Sequence, residues 1–178
     1  VSLPAGITFK QVDAGSGAFN IALGCNNVVY MWGENLKKEC GQGNTASTSY
    51  STPVPVLKGQ SSGSTMPGMA NYLGNVTYVS ASTSTAYAIL SDKKVVAWGS
   101  NAYKQLGNPT ITAPEWGEPV YMKMKTSSTA AVTDLTNCIF LDAGDEQVIA
   151  LVDDGVIGDG VGTVYSCGGS AYNQAELF

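Results

Sequence analysis

The side chains that could do chemistry in this 178-residue chain are mostly carboxylates, because the sequence contains no histidine. Without an imidazole, neither a Ser-His-Asp nor a Cys-His arrangement can form, and a zinc site built on histidine is also impossible. Hydrolase and deaminase chemistry therefore loses its usual base. We predict that the protein is not an enzyme and that it needs no cofactor.

Two groups of acidic residues are close enough in the sequence to suggest paired carboxylates or a calcium loop. They are Asp142, Asp145 and Glu146, and then Asp153, Asp154 and Asp159. Asp154 and Asp159 each precede a glycine, and Asp-Gly pairs are typical of turns because both residue types accept positive φ. A calcium loop would also need alternating ligands and a terminal Glu, which are missing. The turn interpretation is therefore favoured over a metal site.

The composition is that of a globular chain with an apolar core, since 44% of its residues are hydrophobic and 13% are charged. The net charge is −5, and nine Lys and Arg residues are scattered among fourteen Asp and Glu residues. Nucleic-acid binding needs clustered cations that displace counterions from phosphates. We therefore predict no nucleic-acid partner.

The expected location is extracellular, because Ser, Thr, Gly and Asn rather than charged residues cover the expected surface. No apolar run approaches the roughly 18 residues that span a bilayer, and no signal sequence is visible at the start. A chain that begins at Val1 rather than Met is expected to be a processed or excised product.

A motif around a Trp-Gly pair is written three times and predicts a repeat protein. The copies span residues 28–41, 95–107 and 164–174. Trp98 follows Trp32 by 66 residues, and Cys167 takes the place of the Trp 69 residues later. Similarity at a near-fixed period predicts stacked units, with Trp32 and Trp98 packed in the core.

Each unit is predicted to contain short antiparallel strands joined by tight turns. The predicted strands are 7–12, 18–23 and 28–32, then 76–79, 86–90 and 95–98, then 138–144, 147–151 and 163–167. Fourth strands are predicted at 53–58 and 118–124, where prolines restrict them to a sheet edge. The polar connectors 59–71 and 125–137 are predicted to be surface loops. No helix is predicted.

The four cysteines do not have the spacing of a metal site, because no Cys-x-x-Cys occurs. Cys25 and Cys40 fall at opposite ends of a predicted strand about 17 Å long, whereas bridged Cα atoms lie within roughly 7 Å. We therefore expect Cys25, Cys40, Cys138 and Cys167 to be free and buried, packing as small hydrophobic side chains.

The order Val-x-Ala-Gly, apolar strand, turn and Val-x-x-Trp-Gly-x-Asn resembles the repeat of the RCC1 family, at 12–41, 79–107 and 141–174. The resemblance implies an all-β fold of RCC1-like β-propeller blades, with three four-stranded antiparallel units in one domain, 1–178. The units are approximately 7–58, 76–124 and 138–178. The chain departs from the family by having no His after the Ala-Gly, longer connectors and fewer repeats.

The resemblance implies the fold rather than the function. Nuclear members of the family act on chromatin and on a small GTPase, but no residue here matches one that would carry that activity. The expected function is a non-catalytic scaffold or protein-binding module. A secreted inhibitor of an enzyme, a carbohydrate-binding lectin, and a glycosidase using Asp142 or Asp145 are the alternatives.

The expected partner-binding residues lie in the loops that follow each Trp position. They are Glu34, Asn35, Lys37, Asn101, Tyr103, Lys104, Tyr172 and Asn173. These residues are polar or aromatic, recur in register and are expected to line one rim. The alternative is that the Asn and Gly residues only build the turns.

Three units fall below the usual propeller range of about four to eight blades, so other blades are expected to take part. The third unit stops before its fourth strand, and the residues Val1, Ser2, Leu3 and Pro4 precede the first strand of the chain. We predict that residues 1–4 complete the third blade of a neighbouring copy, giving a six-bladed dimer or an open filament. The alternative is a fragment of a longer propeller.

Asn75 begins the single Asn-x-Ser/Thr sequon of the chain. It precedes a predicted strand at an exposed edge. In a secreted eukaryotic protein it would be a glycosylation site.

Overall fold

The computed structural model of the chain describes residues 6–43, 48–65, 67–125, 130–153, 155 and 162–169. All regular secondary structure in these residues is β-strand, which confirms the all-β prediction. The strands are β1 (Phe9–Gly15), β2 (Phe19–Gly24), β3 (Val29–Glu34), β4 (Ser49–Pro55), β5 (Val76–Ala81), β6 (Thr85–Leu90), β7 (Val95–Ser100), β8 (Glu115–Tyr121), β9 (Lys123–Met124), β10 (Thr133–Asp134), β11 (Cys138–Ala143), β12 (Gln147–Asp153) and β13 (Gly162–Gly168). Over the same residues, no helix has the length and apolar character needed to cross a membrane.

The strands form three consecutive antiparallel meanders. Sheet 1 consists of β1–β4, sheet 2 of β5–β8 and sheet 3 of β11–β13, while β9 pairs with β10. The first strand of sheet 2 contacts the first strands of both other sheets. Meanders whose first strands lie side by side are arranged as the blades of a propeller, with those strands nearest the axis.

The predicted strands are all present, but the fourth strands begin earlier than predicted, at Ser49 and Glu115. The prediction that both connectors are surface loops is correct for most of their described residues, which are exposed or half-buried, but not for all of them. Ser61, Ser64 and Leu135 are buried, and β10 lies within the second connector. Leu135 has no exposed surface, and its backbone N–H donates to the Met122 carbonyl at 2.9 Å. One apolar residue thus anchors a mainly polar connector whose other described residues are exposed or half-buried.

The sheets stack through the same pair of faces at each junction. We call the face toward the next sheet along the chain the forward face, and the opposite one the rear face. The forward face of sheet 1 presents Phe19, Ile21, Leu23 and Met31 to the rear face of sheet 2, which presents Val79, Ala88, Val96 and Trp98. The forward face of sheet 2 presents Tyr87, Ile89 and Ala97 to the rear face of sheet 3, which presents Leu141, Val148, Ala150 and Cys167. Burial of each large apolar side chain there stabilises the stack by about 1.5–3 kcal/mol.

All four cysteines are free, as the sequence predicts. Cys40, Cys138 and Cys167 are buried, but Cys25 is exposed because it lies in the β2–β3 turn, outside the stacked sheets. Burial raises the pKa of Cys40 and Cys167 to about 12 and that of Cys138 to about 11. These three thiols therefore stay protonated, which suits packing rather than nucleophilic chemistry.

Candidate functional site

One end of the stack carries two sets of connections, and we call this end the loop face. It consists of the turns 16–18, 82–84 and 144–146, between the first and second strands, and the loops 35–41 and 101–107, after the third strands. The Glu34 N–H donates to the Ala18 carbonyl at 3.0 Å and the Ser100 N–H to the Ser84 carbonyl at 2.8 Å, so turns and loops adjoin. The predicted partner-binding residues Glu34, Asn35, Lys37, Asn101, Tyr103 and Lys104 lie here. Tyr172 and Asn173 lie outside the described residues.

The glycine of each Trp-Gly or Cys-Gly pair lets the turns and loops meet. Gly33, Gly99 and Gly168 have φ of 108°, 105° and 88°. A Cβ atom on any of them would lie 2.2–2.5 Å from a carbonyl oxygen of the adjacent turn. Only glycine accepts both this contact and this backbone conformation.

The two loop asparagines build the loops from within. Asn35 and Asn101 are 3% and 2% exposed. The Asn35 Oδ1 accepts the Cys40 N–H at 2.7 Å, and the Asn101 Oδ1 accepts the Leu106 N–H at 3.3 Å. The Asn101 amide also donates to two carbonyls in the segment before β8. These hydrogen bonds are the ones expected if the asparagines only build the turns. Any partner contact would then be made by the exposed residues beside them.

Tyr103 is an exposed aromatic side chain of the loop face, with 38% of its surface accessible. The Glu146 carboxylate interacts with its hydroxyl and raises the pKa of Tyr103. Glu146 belongs to the turn of sheet 3, so this interaction runs between sheets 2 and 3 at the rim. Lys104 is exposed beside Tyr103. Tyrosine is one of the residue types enriched at the energetic centres of protein interfaces.

The corresponding loop of sheet 1 presents charges. Lys37 Nζ lies 3.9 Å from Glu115 Oε2, and Lys38 Nζ lies 3.8 Å from Glu115 Oε1. Glu34 is half-buried. Surface ion pairs of this length contribute less than about 1 kcal/mol, so a partner can replace them readily.

A cleft of about 340 Å³ opens on the loop face where the three first strands end. Ser16, Thr83 and Asp145 occupy the same repeat position and line it. The hydroxyls of Ser16 and Thr83 are 2.8 Å apart, and the Thr83 hydroxyl donates to Asp145 Oδ1. This position follows the Ala-Gly of the repeat, where the RCC1-family resemblance would place His. Asp142 is not part of the lining and lies on the forward face of sheet 3.

The other predicted acidic group is at the opposite end of the stack. Asp153 Oδ1 accepts the Gly155 N–H at 2.9 Å, which fits a turn, and Lys93 Nζ lies 3.5 Å from Asp153 Oδ2. Asp154 and Asp159 fall outside the described residues. Over the described ranges, no group of three or more metal-ligating side chains comes together.

Glu39 is a loop residue that the sequence reading missed. It takes the position of Gln105 in the next unit, and each side chain accepts a backbone N–H two residues before it, at 2.8 and 2.9 Å. Glu39 has no exposed surface, and its Oε1 has no hydrogen-bond partner among the residues that the structure describes. Desolvation by burial raises the pKa of Glu39 to about 7. In the sequence, the alignment of the first two repeats places this Glu opposite a Gln, and this difference could have identified Glu39.

Glu39→Gln is expected to stabilise the protein by about 2–3 kcal/mol at pH 8, because a buried charge is removed. The folded pKa of about 7 exceeds the ordinary value of 4.5, so the wild-type penalty is absent below pH 4.5 and grows as pH rises through 7. Urea unfolding at pH 5 and pH 8 measures the difference. Gln105→Glu, the matched change in the second unit, is expected to introduce the same pH-dependent loss. An equal effect of Glu39→Gln at both pH values would contradict the assignment.

Asn75, the predicted glycosylation site, lies in the turn before β5 with φ of 57°. Its side chain is half-buried, and Nδ2 donates to the Gly63 carbonyl at 3.0 Å. A glycan is attached through that nitrogen. Glycosylation stays a prediction, and it would change an amide that already serves the connector.

Proteins of known structure share this arrangement of sheets. Human WBSCR16 matches with a TM-score of 0.67 and 17% identity, over 94% of this chain and 34% of that protein. The structure of Kap60 bound to yeast RCC1 (Prp20) contains a chain that matches with a TM-score of 0.63 and 20% identity, over 94% of this chain and 31% of that one. Prp20p of Saccharomyces cerevisiae matches with a TM-score of 0.61 and 19% identity, over 94% and 32%.

A relative is also found by sequence. Protein pim1 of Schizosaccharomyces pombe is 26% identical over a 167-residue alignment that covers 86% of this chain and 28% of that protein. No protein-family model matches the chain. The chain spans about a third or less of the length of these proteins. The antiparallel meanders and these neighbours together identify the fold as that of RCC1-like β-propeller blades.

Proposed function

We propose that the chain is a non-catalytic β-propeller module that binds another protein through its loop face. The observation that carries the proposal is the exposed Tyr103, with Lys104 beside it and the Glu146 carboxylate interacting with its hydroxyl, on a loop held from within. Two of the matching structures, both of yeast Prp20, name protein partners. Yeast Prp20 is bound to Kap60, and Prp20p has binding properties to Gsp1p and histones. These matches show a shared fold at 19–20% identity, so protein binding by this chain is our proposal.

The rigidity of the loops supports this role. The indole Nε1 of Trp98 donates to the Glu39 carbonyl at 2.6 Å, and the Tyr87 hydroxyl donates to the Gln105 carbonyl at 3.1 Å. Each loop is therefore fixed by a core side chain beneath it. Loops that are ordered before binding lose little conformational entropy in a complex, so a small aromatic surface can give useful affinity.

Tyr103→Ala is expected to weaken partner binding by about thirtyfold or more, as loss of an aromatic anchor does. The test compares capture of proteins of the source organism by wild type, Tyr103→Ala and Val132→Ala. Val132 is 43% exposed and lies outside the loop face, so it is the matched control. A partner held equally by all three would contradict the proposal, and unchanged thermal unfolding shows that each variant is folded.

The proposed location is extracellular. It is supported by the surface rich in Ser, Thr and Asn and by the sequon at Asn75. A mobility shift on glycosidase treatment of protein from culture medium, absent in Asn75→Gln, is the expected result. A secreted inhibitor would be one form of the same binding role, recognised by loss of the partner's enzymatic activity.

Carbohydrate binding is a second candidate, favoured by the hydroxyl and carboxylate lining of the cleft. Ser16, Thr83 and Asp145 present oxygen atoms that can bond to sugar hydroxyls. A glycan array distinguishes this role from protein binding, with Asp145→Asn as the variant that should lose the signal.

A further inference from the structure

The loop that follows β3 closes over a buried carboxyl group. Glu39 lies in this loop, residues 35–41, and has no exposed surface. Its Oε2 accepts the Lys37 N–H at 2.8 Å, and its Oε1 has no hydrogen-bond partner among the described residues. A buried carboxylate that accepts one hydrogen bond loses most of its solvation energy, whereas the neutral acid loses much less. The closed loop therefore favours the protonated form of Glu39.

The charged groups around Glu39 add to this preference. Desolvation by burial is the largest cause of its raised pKa, and Glu34, at the end of β3, and Glu115, at the start of β8, raise it further. The two ammonium groups of the loop do not compensate, because Lys37 and Lys38 each pair with Glu115, at 3.9 and 3.8 Å. The pKa of Glu39 is thereby raised to about 7, so the group changes charge near neutral pH.

The loop is fastened by hydrogen bonds that lie outside the strand pairing. Trp98 Nε1 of β7 donates to the Glu39 carbonyl at 2.6 Å, and Asn35 Oδ1 accepts the Cys40 N–H at 2.7 Å. The Cys40 thiol is buried and lies 3.5 Å from the Glu34 carbonyl. The strand pairing of sheets 1 and 2 does not include residues 35–41. The loop can therefore open locally while the sheets stay folded.

The second unit contains the same loop with a neutral side chain in place of the acid. Gln105 occupies the position of Glu39, and its side-chain oxygen accepts a backbone N–H at 2.9 Å, as that of Glu39 does at 2.8 Å. The Gln105 carbonyl accepts the Tyr87 hydroxyl at 3.1 Å and the Cys167 thiol at 3.5 Å. Because an amide does not ionise, pH dependence of this kind is confined to the first loop.

We propose that residues 35–41 form a proton-controlled switch, in which loss of the Glu39 proton favours local opening of the loop. Opening gives the carboxylate access to water, breaks the hydrogen bond from Trp98 and exposes the Cys40 thiol. With a pKa of 4.5 in the open loop and about 7 in the closed loop, the opening equilibrium constant rises about 70-fold from pH 5 to pH 8. The switch is independent of the protein-binding role of the loop face, because the purified chain alone has it.

Thiol labelling of the purified chain tests the switch, because Cys40 belongs to the loop whereas Cys138 and Cys167 are buried between sheets 2 and 3. The exposed Cys25 is first replaced, as Cys25→Ser. Dithiodipyridine followed by peptide mass spectrometry gives a rate for each buried thiol. At pH 8, Cys40 is expected to react faster than Cys138 and Cys167. Low concentrations of urea should accelerate only the latter two, because local opening exposes little surface.

Glu39→Gln in the same background is the variant that removes the switch. It is expected to slow the labelling of Cys40 at least about thirtyfold at pH 8 and no more than about fivefold at pH 5. Comparison of two proteins at one pH cancels the effect of pH on the reactivity of the thiol. Glu39→Gln combined with Gln105→Glu is expected to move the urea-independent labelling at pH 8 from Cys40 to Cys167, whose thiol lies 3.5 Å from the Gln105 carbonyl.

Equal labelling of Cys40 at pH 8 in the protein with Glu39 and in the Glu39→Gln variant would overturn the inference. So would labelling of all three buried thiols at one rate and with one dependence on urea, since that result shows global unfolding alone. Urea-independent labelling that stays at Cys40 in the combined variant would show that the acid at position 39 does not control the loop.

Discussion

Trp98→Ala is expected to destabilise the protein by about 4 kcal/mol, because it removes the largest side chain buried between sheets 1 and 2. Trp98 has no exposed surface and packs among the apolar residues of that junction. Its indole also donates to the Glu39 carbonyl at 2.6 Å, so the substitution leaves both a cavity and an unpaired buried acceptor. Equilibrium urea unfolding gives the change in the free energy of unfolding.

Trp116→Ala is the control for this prediction. Trp116 is partly exposed on β8 and packs at the periphery of the second cluster. It is expected to destabilise the protein by less than half as much, because little cavity forms at a partly solvated site. Equal losses for the two variants would show that Trp98 does not hold the sheets together.

Cys167→Trp is expected to destabilise the protein by about 3 kcal/mol, and Tyr87→Ile in the same chain is expected to restore most of the loss. The Cys167 thiol and the Tyr87 hydroxyl both approach the Gln105 carbonyl, at 3.5 and 3.1 Å, so they share one site. A Trp there would collide with the Tyr87 ring. The double variant instead recreates the Ile21–Trp98 combination of the preceding junction.

A double-mutant cycle measures this compensation. The coupling free energy between positions 87 and 167 is expected to be about 2 kcal/mol or more, in the favourable direction. Ile21→Tyr, which sets a Tyr against Trp98, is expected to be destabilising for the same steric reason. Additive effects at positions 87 and 167 would contradict the rule that each junction combines a large and a small residue.

The strands and the fold could be predicted because the apolar alternation and the Trp-Gly repeat are local signals. The burial of Leu135 could not, since its connector is mainly polar and the leucine is held by a backbone bond to Met122. Composition describes the connector as a whole, whereas the burial of one residue, Leu135, fixes where it packs.

The candidate site was predicted in outline and differs in its detail. The sequence places Asn101 and Tyr103 in one loop, but their types do not show that the amide turns inward and the ring outward. That division depends on the hydrogen bond between the Asn101 side chain and the Leu106 backbone. The hydrogen bonds that link Ser16, Thr83 and Asp145 also depend on the meeting of three turns that are distant in sequence.

The role of Cys167 shows the same limit. The sequence shows that Cys167 stands where the other repeats have Trp. That the larger Tyr87 fills the space next to it is recognised only when the strand register aligns Tyr87 with Ile21. Pairing across sheets is a property of the stack and not of any one unit.

Photo-crosslinking from position 103 tests most directly the claim that the loop face binds a protein. A photoreactive phenylalanine in place of Tyr103 is expected to form an adduct with a protein of the source organism, while the same group in place of Val132 forms none. Adducts of equal yield from both positions, or an adduct from position 132 alone, would contradict the account.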